Sequence, residues 1–255
     1  MALHYHIHPQ YAHLQPLIAE VPRRFDNEGS LMYQVRNTIK RMELNENIWN
    51  VKSFQIPHFI NRLAYRYFRQ SKAARSYLYS LRLLELGVGT PQPIAYIEEH
   101  LFGGLSRSYY ISQQIDYDYT LGDLLRRPPR GAAEMIARCI RFINDFHRKG
   151  VCFHDLSVGN ILVKIYPDGT PLFYLVDVNR TQFFDRPLTC SESVKPFCRL
   201  DTTPEQKEDI LRQYAGVSGF DYDEVKRHYA QHSRRDKQRR KLKIFHLRRG
   251  NDHNE

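Results

Sequence analysis

The feature that most restricts what this chain can fold into is the run Val151-Cys152-Phe153-His154-Asp155-Leu156-Ser157-Val158-Gly159-Asn160-Ile161-Leu162-Val163. It follows a helix stop at Gly150, sets a carboxylate and an amide five residues apart, and ends in an apolar strand. A second carboxylate, Asp177, closes the next apolar run, Phe173 to Val178, and Pro167-Asp168-Gly169 between the two strands reads as a hairpin turn. The hairpin is expected to return Asp177 to the side of Asn160. An Asp on a short loop can take the proton of an attacking hydroxyl, while an Asn and a second Asp can hold Mg²⁺ on nucleotide phosphates. Phosphate charge must be neutralised before a nucleophile can approach, so the three residue types together point to metal-assisted phosphoryl transfer.

The text before this run is strand-rich. Leu31 to Arg36, Thr38 to Leu44 and Ile48 to Phe54 read as consecutive antiparallel strands, the last two joined by the turn-like Asn45-Glu46-Asn47. Ile60 to Leu86 reads as a long helix stopped by Gly87, and Pro93 to Ile97 with Tyr109 to Ile115 as a hairpin across Gly103-Gly104. That gives five strands and one long helix before about residue 116, preceded by a short terminal strand on which His4, His6 and His8 share one face. Three histidines in that pattern can bind a metal, but no carboxylate or cysteine accompanies them, and a solvated terminal strand is the expectation. From Thr120 the text turns helical. Leu121 to Arg127 is short, and Ala132 to Lys149 is long, with Ile136, Cys139, Ile140, Ile143 and Phe146 forming a buried stripe. His147 and His154 are expected to support packing and hydrogen bonding rather than catalysis.

A chain of 255 residues with 42% hydrophobic and 26% charged residues can bury a real core, and its length is near the point where single cores split. Two lobes around a cleft are expected. The formal charge is +10, and its location matters more than its size. Between Lys226 and Arg249 eleven basic residues face the single acid Asp236, so this segment alone carries 11 − 1 = +10. The remainder is formally neutral, which removes the main support for a body-wide nucleic-acid surface. Cys139, Cys152, Cys190 and Cys198 show neither a C-x-x-C pair nor metal-ligand spacing with a histidine, which fits a reducing cytoplasmic compartment. No apolar run reaches the roughly 18 residues of a bilayer span, and the N-terminus lacks a secretory pattern.

The chain resembles the protein-kinase-like superfamily, and within it the lipopolysaccharide core sugar kinases that phosphorylate Kdo or heptose. The resemblance is carried by Arg36 to Lys40, Val51-Lys52-Ser53-Phe54, Ser71-Lys72-Ala73, Gly87-Val88-Gly89-Thr90-Pro91, Asp155 to Val163 and Val176-Asp177-Val178-Asn179-Arg180. It implies an α+β, two-lobed protein-kinase-like fold, with a small antiparallel-sheet N-lobe holding one long helix and a mainly helical C-lobe. The expected division is 1–115 for the N-lobe, 116–225 for the C-lobe with its catalytic loop and metal site, and 226–255 for a basic C-terminal segment, with a hinge near Gln113 to Asp118. The resemblance further implies ATP and Mg²⁺ as cofactors, Lys52 on the α- and β-phosphates, Asp155 as catalytic base, and Asn160 and Asp177 as Mg²⁺ ligands.

This sequence departs from the wider kinase pattern in several places. Arg36-Asn37-Thr38 stands where protein kinases have a glycine-rich loop, so Arg36 or Lys40 is expected to supply phosphate-binding charge instead. The helix after Ser71 has no central glutamate for Lys52, and Glu85 comes too late. Only 255 − 177 = 78 residues follow Asp177, too few for the usual protein-substrate helices. The resemblance implies as acceptor a hydroxyl of a lipid-linked sugar; Arg180 could meet its acidic groups, although a surface or cap salt bridge is the expectation for that residue. The alternatives are an aminoglycoside-type small-molecule kinase, a protein kinase, or a catalytically weak kinase-like module whose tail binds membrane or RNA. The basic segment Lys226 to Arg249 is read as an anchor to an anionic membrane surface, which would place the protein in the cytoplasm, peripheral on the inner face of the cytoplasmic membrane.

Overall fold

The computed structural model describes residues 2–35, 37–55, 70–101 and 104–251, with side chains described for all of these except Gln55 and 239–251. The chain forms two compact units, Met1–Asp118 with Lys164–Arg180, and Tyr119–Val163 with Thr181–Glu255. Lys164–Arg180, which carries Asp177, groups with the strand-rich unit, whereas the sequence reading assigned it to the helical one.

The first unit is built on a six-stranded sheet in the order β1-β5-β6-β4-β3-β2. Its strands are β1 (Ala2–Ile7), β2 (Ser30–Gln34), β3 (Asn37–Leu44), β4 (Asn47–Gln55), β5 (Pro93–Leu101) and β6 (Gly104–Gln113), and every neighbouring pair is antiparallel. The three expected consecutive strands are present. Between β3 and β4, Asn45 and Glu46 both have positive φ (47° and 65°), the backbone a two-residue hairpin needs to match strand twist.

Helices cover both faces of this sheet. Helix α1 (Gln15–Arg24) buries Ile18, Val21 and Pro22, residues spaced along one helical face. Ile18 and Val21, with Phe25, pack on Met42, Leu44, Trp49, Val51, Ile97 and Ile111. The sequence reading missed this helix because two prolines interrupt its text. Pro16 is harmless in the first turn, where its missing N–H has no helical partner. On the other face, α2 (Lys72–Glu85) starts at Ser71, whose hydroxyl accepts from the Ala74 N–H at 3.0 Å. It ends as expected at Gly87, at φ 65°. Ser80 and Tyr110 share a 2.8 Å hydrogen bond between this helix and β6. Residues 60–69 of the expected helix lie outside the described residues.

Residues 164–180 of the first unit run from the end of β9 (Ile161–Ile165) through the expected turn into β10 (Pro171–Leu175). Gly169, at φ 81°, and the Thr170 N–H on Asp168 Oδ1 at 2.9 Å shape that turn. Gly89 lies against β10 so closely that a Cβ there would sit 2.2 Å from the Phe173 carbonyl oxygen. The Leu175 N–H donates to the Gly89 carbonyl at 2.8 Å, and the Thr90 hydroxyl to that of Leu175 at 2.7 Å. These bonds hold the chain just ahead of Asp177.

In the second unit, β7 (Tyr119–Thr120) pairs with Val163 and Leu162 of β9, and α3 (Leu121–Arg126) follows. Thr120 and Asp123 form a reciprocal capping box at its start. Helix α4 (Ala132–Arg148) buries Met135, Cys139, Ile140, Ile143, Asn144, Phe146 and His147. The stripe is therefore rotated slightly from the expected one, with Met135 in place of Ile136. Two polar residues enter the interior because each finds a partner. Asn144 donates to the Val217 carbonyl at 3.1 Å, and His147 Nδ1 lies 2.8 Å from the Tyr214 hydroxyl. Strand β8 (Val151–Phe153) then pairs with β11 (Thr181–Phe183). The unit is completed by α5 (Cys190–Val194), a 3-10 segment Lys195–Arg199, α6 (Pro204–Ser218) and α7 (Tyr222–Asn251).

Candidate active site

Four of the expected site residues fall into two local clusters, one in each unit. In the first unit Lys52 lies on β4, directly opposite Ile39 of β3 and Tyr110 of β6. Its ammonium is 2.5 Å from Asp177 Oδ1, across 125 residues of sequence. The Lys52 side chain is 10% exposed and that of Asp177 34%, so the charge pair is shielded from water on the lysine side. The Phe54 ring lies 5.2 Å from the same ammonium and 5.9 Å from that of Lys72. The carboxylate that meets Lys52 in this structure is that of Asp177, where the sequence offered no helix glutamate.

Asp177 sits beyond the end of β10, in the left-handed region at φ 60°. Asp tolerates this conformation better than most residues, and such backbone concentrates where a side chain must be aimed. Asn179, two residues on and buried, donates its Nδ2 to Asp177 Oδ1 at 2.6 Å. A carboxylate fixed twice through one oxygen presents its second oxygen in a defined direction. The role of Asn179 was missed from sequence, although an amide two residues after a key Asp is a usable signal.

In the second unit Asp155 follows β8 directly. Leu156 and Val158 are buried and peg the loop, the Gly122 N–H donates to the Val158 carbonyl at 2.9 Å, and Asn160 Nδ2 donates to the Asp155 carbonyl at 2.9 Å. The Ser157 and Asn160 N–H groups donate to the Asp155 and Ser157 carbonyls at 2.6 and 3.0 Å. The spacing of five residues is therefore the length of one closed turn. With the Asn160 nitrogen committed, its amide oxygen is the atom suited to a hard cation. His154 has Nε2 at 3.2 Å from Gln182 Oε1 and Nδ1 at 3.6 Å from Cys152 Sγ, which makes it a support for the loop.

Lys40 does not join these residues. It pairs across the sheet with Val51, one position out of phase with Lys52, so the pleat turns it to the α1 face. There its ammonium donates to the carbonyls of Phe25, Glu28 and Asp26 at 2.5, 3.0 and 3.3 Å, tying the end of α1 to the sheet. Arg36 lies outside the described residues. Arg180 is exposed. His4 packs edge-on to His100, His6 stacks on Tyr96, and His8 accepts from the Gln10 N–H, so the three terminal histidines each have separate partners.

The family model for the lipopolysaccharide kinase (Kdo/WaaP) family matches residues 29–214. The chain belongs to this family. It is accordingly a phosphotransferase that acts on a sugar hydroxyl, and the lipopolysaccharide kinase reading takes precedence over the protein-kinase and aminoglycoside readings. Among solved structures, one described as WaaP in complex with acyl carrier protein is 20% identical, with a TM-score of 0.60 over 93% of this chain and 99% of that one. This likeness shows the protein-kinase-like fold. The Rio2 kinase–ADP/Mg²⁺–phosphoaspartate complex from Chaetomium thermophilum is 17% identical, with a TM-score of 0.48 over 90% of this chain and 77% of that one. No curated protein matches the sequence. Among the described residues no helix is long and apolar enough to cross a membrane.

Proposed function

We propose that this lipopolysaccharide kinase transfers the γ-phosphate of ATP, with Mg²⁺, to a hydroxyl of the Kdo or heptose in the lipid-linked inner core. The observation that carries the reading is the Lys52–Asp177 pair. Burying an ammonium costs several kcal/mol, and apolar residues of similar size commonly replace such a pair without loss of stability. Retaining the pair therefore supports a task in catalysis. With nucleotide bound, Lys52 would hold phosphate oxygens and Asp177 would be available to hold a cation. Asp177 and Asn160 supply oxygen donors of the kind Mg²⁺ takes, and the ion neutralises phosphate charge when bound. Asp155 accepts the sugar hydroxyl proton as that oxygen bonds to the γ-phosphorus, while the bond to the β-bridging oxygen breaks and ADP leaves.

The deciding experiment incubates the protein with labelled ATP, Mg²⁺ and purified lipid-linked core oligosaccharide, beside protein and aminoglycoside acceptors. Label is expected on the core sugar alone, and Lys52→Met is expected to remove it. Label on another acceptor but not on the sugar overturns the assignment.

The same proposal includes a peripheral position on an anionic membrane through α7. The first part of the segment is already engaged, since Lys226 Nζ is 3.3 Å from Glu208 and the segment's acid, Asp236, lies 3.7 Å from Arg199. The cut that tests the anchor therefore belongs after Gln238, where it removes Arg239, Arg240, Lys241, Lys243, Arg248 and Arg249. At roughly 1 kcal/mol per basic residue near an anionic surface, this chain should sediment with phosphatidylglycerol vesicles in low salt and the truncated chain should not. Equal sedimentation of both would remove α7 from the proposal.

A further inference from the structure

Among the described residues one group of cysteine, histidine and carboxylate side chains has the spacing of a metal site, and it lies in the second unit at the root of the basic helix. Cys190 opens α5, and Glu224 and His228 lie one turn apart on α7. One ligand atom from each of the three falls within 4.8 Å of the other two. Ligand atoms around a tetrahedral zinc ion lie about 3.5 Å apart, given bonds of roughly 2.0 to 2.3 Å, so only a small contraction is needed.

A further observation favours a cation here. His228 Nδ1 is buried with no hydrogen-bond partner, and the Nε2 of the same ring is 3.6 Å from Glu224 Oε1. His232, the next turn of α7, is committed elsewhere, with Nε2 at 3.0 Å from both the Ser191 hydroxyl and carbonyl. It fixes the register of α7 against α5 and is not a ligand.

We infer that Cys190, Glu224 and His228 bind Zn²⁺, with water as the fourth ligand, as a clamp that fastens the first turns of the basic helix to α5. The donor set selects the ion. A thiolate and an imidazole suit Zn²⁺, whereas Mg²⁺ takes oxygen, so this site is chemically distinct from the one proposed for catalysis. Binding exchanges the thiol proton for the metal, and the proton is released to water. No part of the clamp rests on which sugar the kinase phosphorylates.

The test uses the full chain, freed of metal and titrated with Zn²⁺ and separately with Co²⁺, whose thiolate charge-transfer band in the near ultraviolet reports a Co–S bond. One Zn²⁺ per chain, that band, and a thermal midpoint that rises with Zn²⁺ are expected. Cys190→Ser should lose all three, and His228→Gln should weaken Zn²⁺ binding by about a hundredfold, while Cys198→Ser, outside the group, should keep them. If Cys190→Ser fails to fold, protection of the wild-type Cys190 thiol from alkylation by stoichiometric Zn²⁺ decides the question. A band that survives in Cys190→Ser, no zinc uptake by the wild type, or alkylation unaffected by zinc overturns the clamp.

Discussion

Asp155→Asn is expected to lower phosphate transfer by about 10²- to 10⁴-fold, the usual worth of a positioned general base, while ATP affinity changes by no more than a few-fold. In barrier terms this is about 3 to 5 kcal/mol. The structure explains why the loss should fall on turnover. The loop is held by the buried side chains of Leu156 and Val158, by the Gly122 N–H on the Val158 carbonyl, and by Asn160 on the Asp155 carbonyl. All of these use atoms other than the Asp155 carboxylate, and Asn has nearly the same shape. The substitution removes the proton acceptor and leaves its scaffold, so kcat should fall with little change in KM for ATP. Phosphate transfer at wild-type rate would exclude Asp155 as the base. Loss of ATP binding in parallel would instead make it a nucleotide-binding residue.

The candidate site residues can be picked out in sequence, whereas their partners across the fold cannot, for identifiable reasons. Asp155, Asn160 and Lys52 belong to short segments whose spacing is fixed by one turn or one strand, so the local text suffices. Lys40 could not be placed because a strand's two faces look alike until its partners are known. One step in register separates Lys40, which caps the end of α1, from Lys52, which meets Asp177. The Lys52–Asp177 pairing itself joins residues that no local spacing connects, and in the Cys190–Glu224–His228 group Cys190 is likewise remote in sequence from the other two. Helix α1 was hidden by Pro16 and Pro22, which read as breakers although one occupies the first turn and the other the buried face. The buried stripe of α4 was found nearly in register, but two of its members are polar. Hydropathy does not mark Asn144 and His147 as interior, since what admits them is a carbonyl and a hydroxyl from α6 and its C-terminal turn.

The second large effect is loss of stability in mild acid, with His147 as its source. The ring is buried among Phe146, Tyr214 and Phe197, with centroids 4.8, 5.6 and 6.3 Å away, and its Nε2 has no hydrogen-bond partner. Burial pulls its pKa down from the ordinary 6.5 to about 3. Between these values the unfolded chain binds a proton that the folded chain does not, so stability falls as pH drops through this window. At about 1.4 kcal/mol per pH unit the loss is about 2 kcal/mol from pH 6.5 to 5, a large part of a typical folding free energy of about 5 to 15 kcal/mol. Glu192 is held down to about 2 by Arg186 and by the Thr189 N–H, and its contribution disappears only as pH falls from about 4.5 toward 2. In this interval His232, whose pKa burial also pulls down, acts in the same direction, and Glu99, whose pKa burial raises, acts in the opposite one, so the comparison of wild type with His147→Gln is what assigns the slope to His147. Urea unfolding across it should show a steep slope in the wild type and a flatter one in His147→Gln, which keeps a polar partner for Tyr214 but cannot charge. Equal slopes would mean that the buried ring is not the titrating group. The His147 carbonyl also accepts from the Gly150 and Leu188 N–H groups, and Gly150, at φ 77°, has no room for a Cβ beneath the Phe184 carbonyl. The residue that titrates thus anchors the chain where it enters β8 and the Asp155 loop, so phosphate transfer should decline over the same pH interval in the wild type and less steeply in His147→Gln.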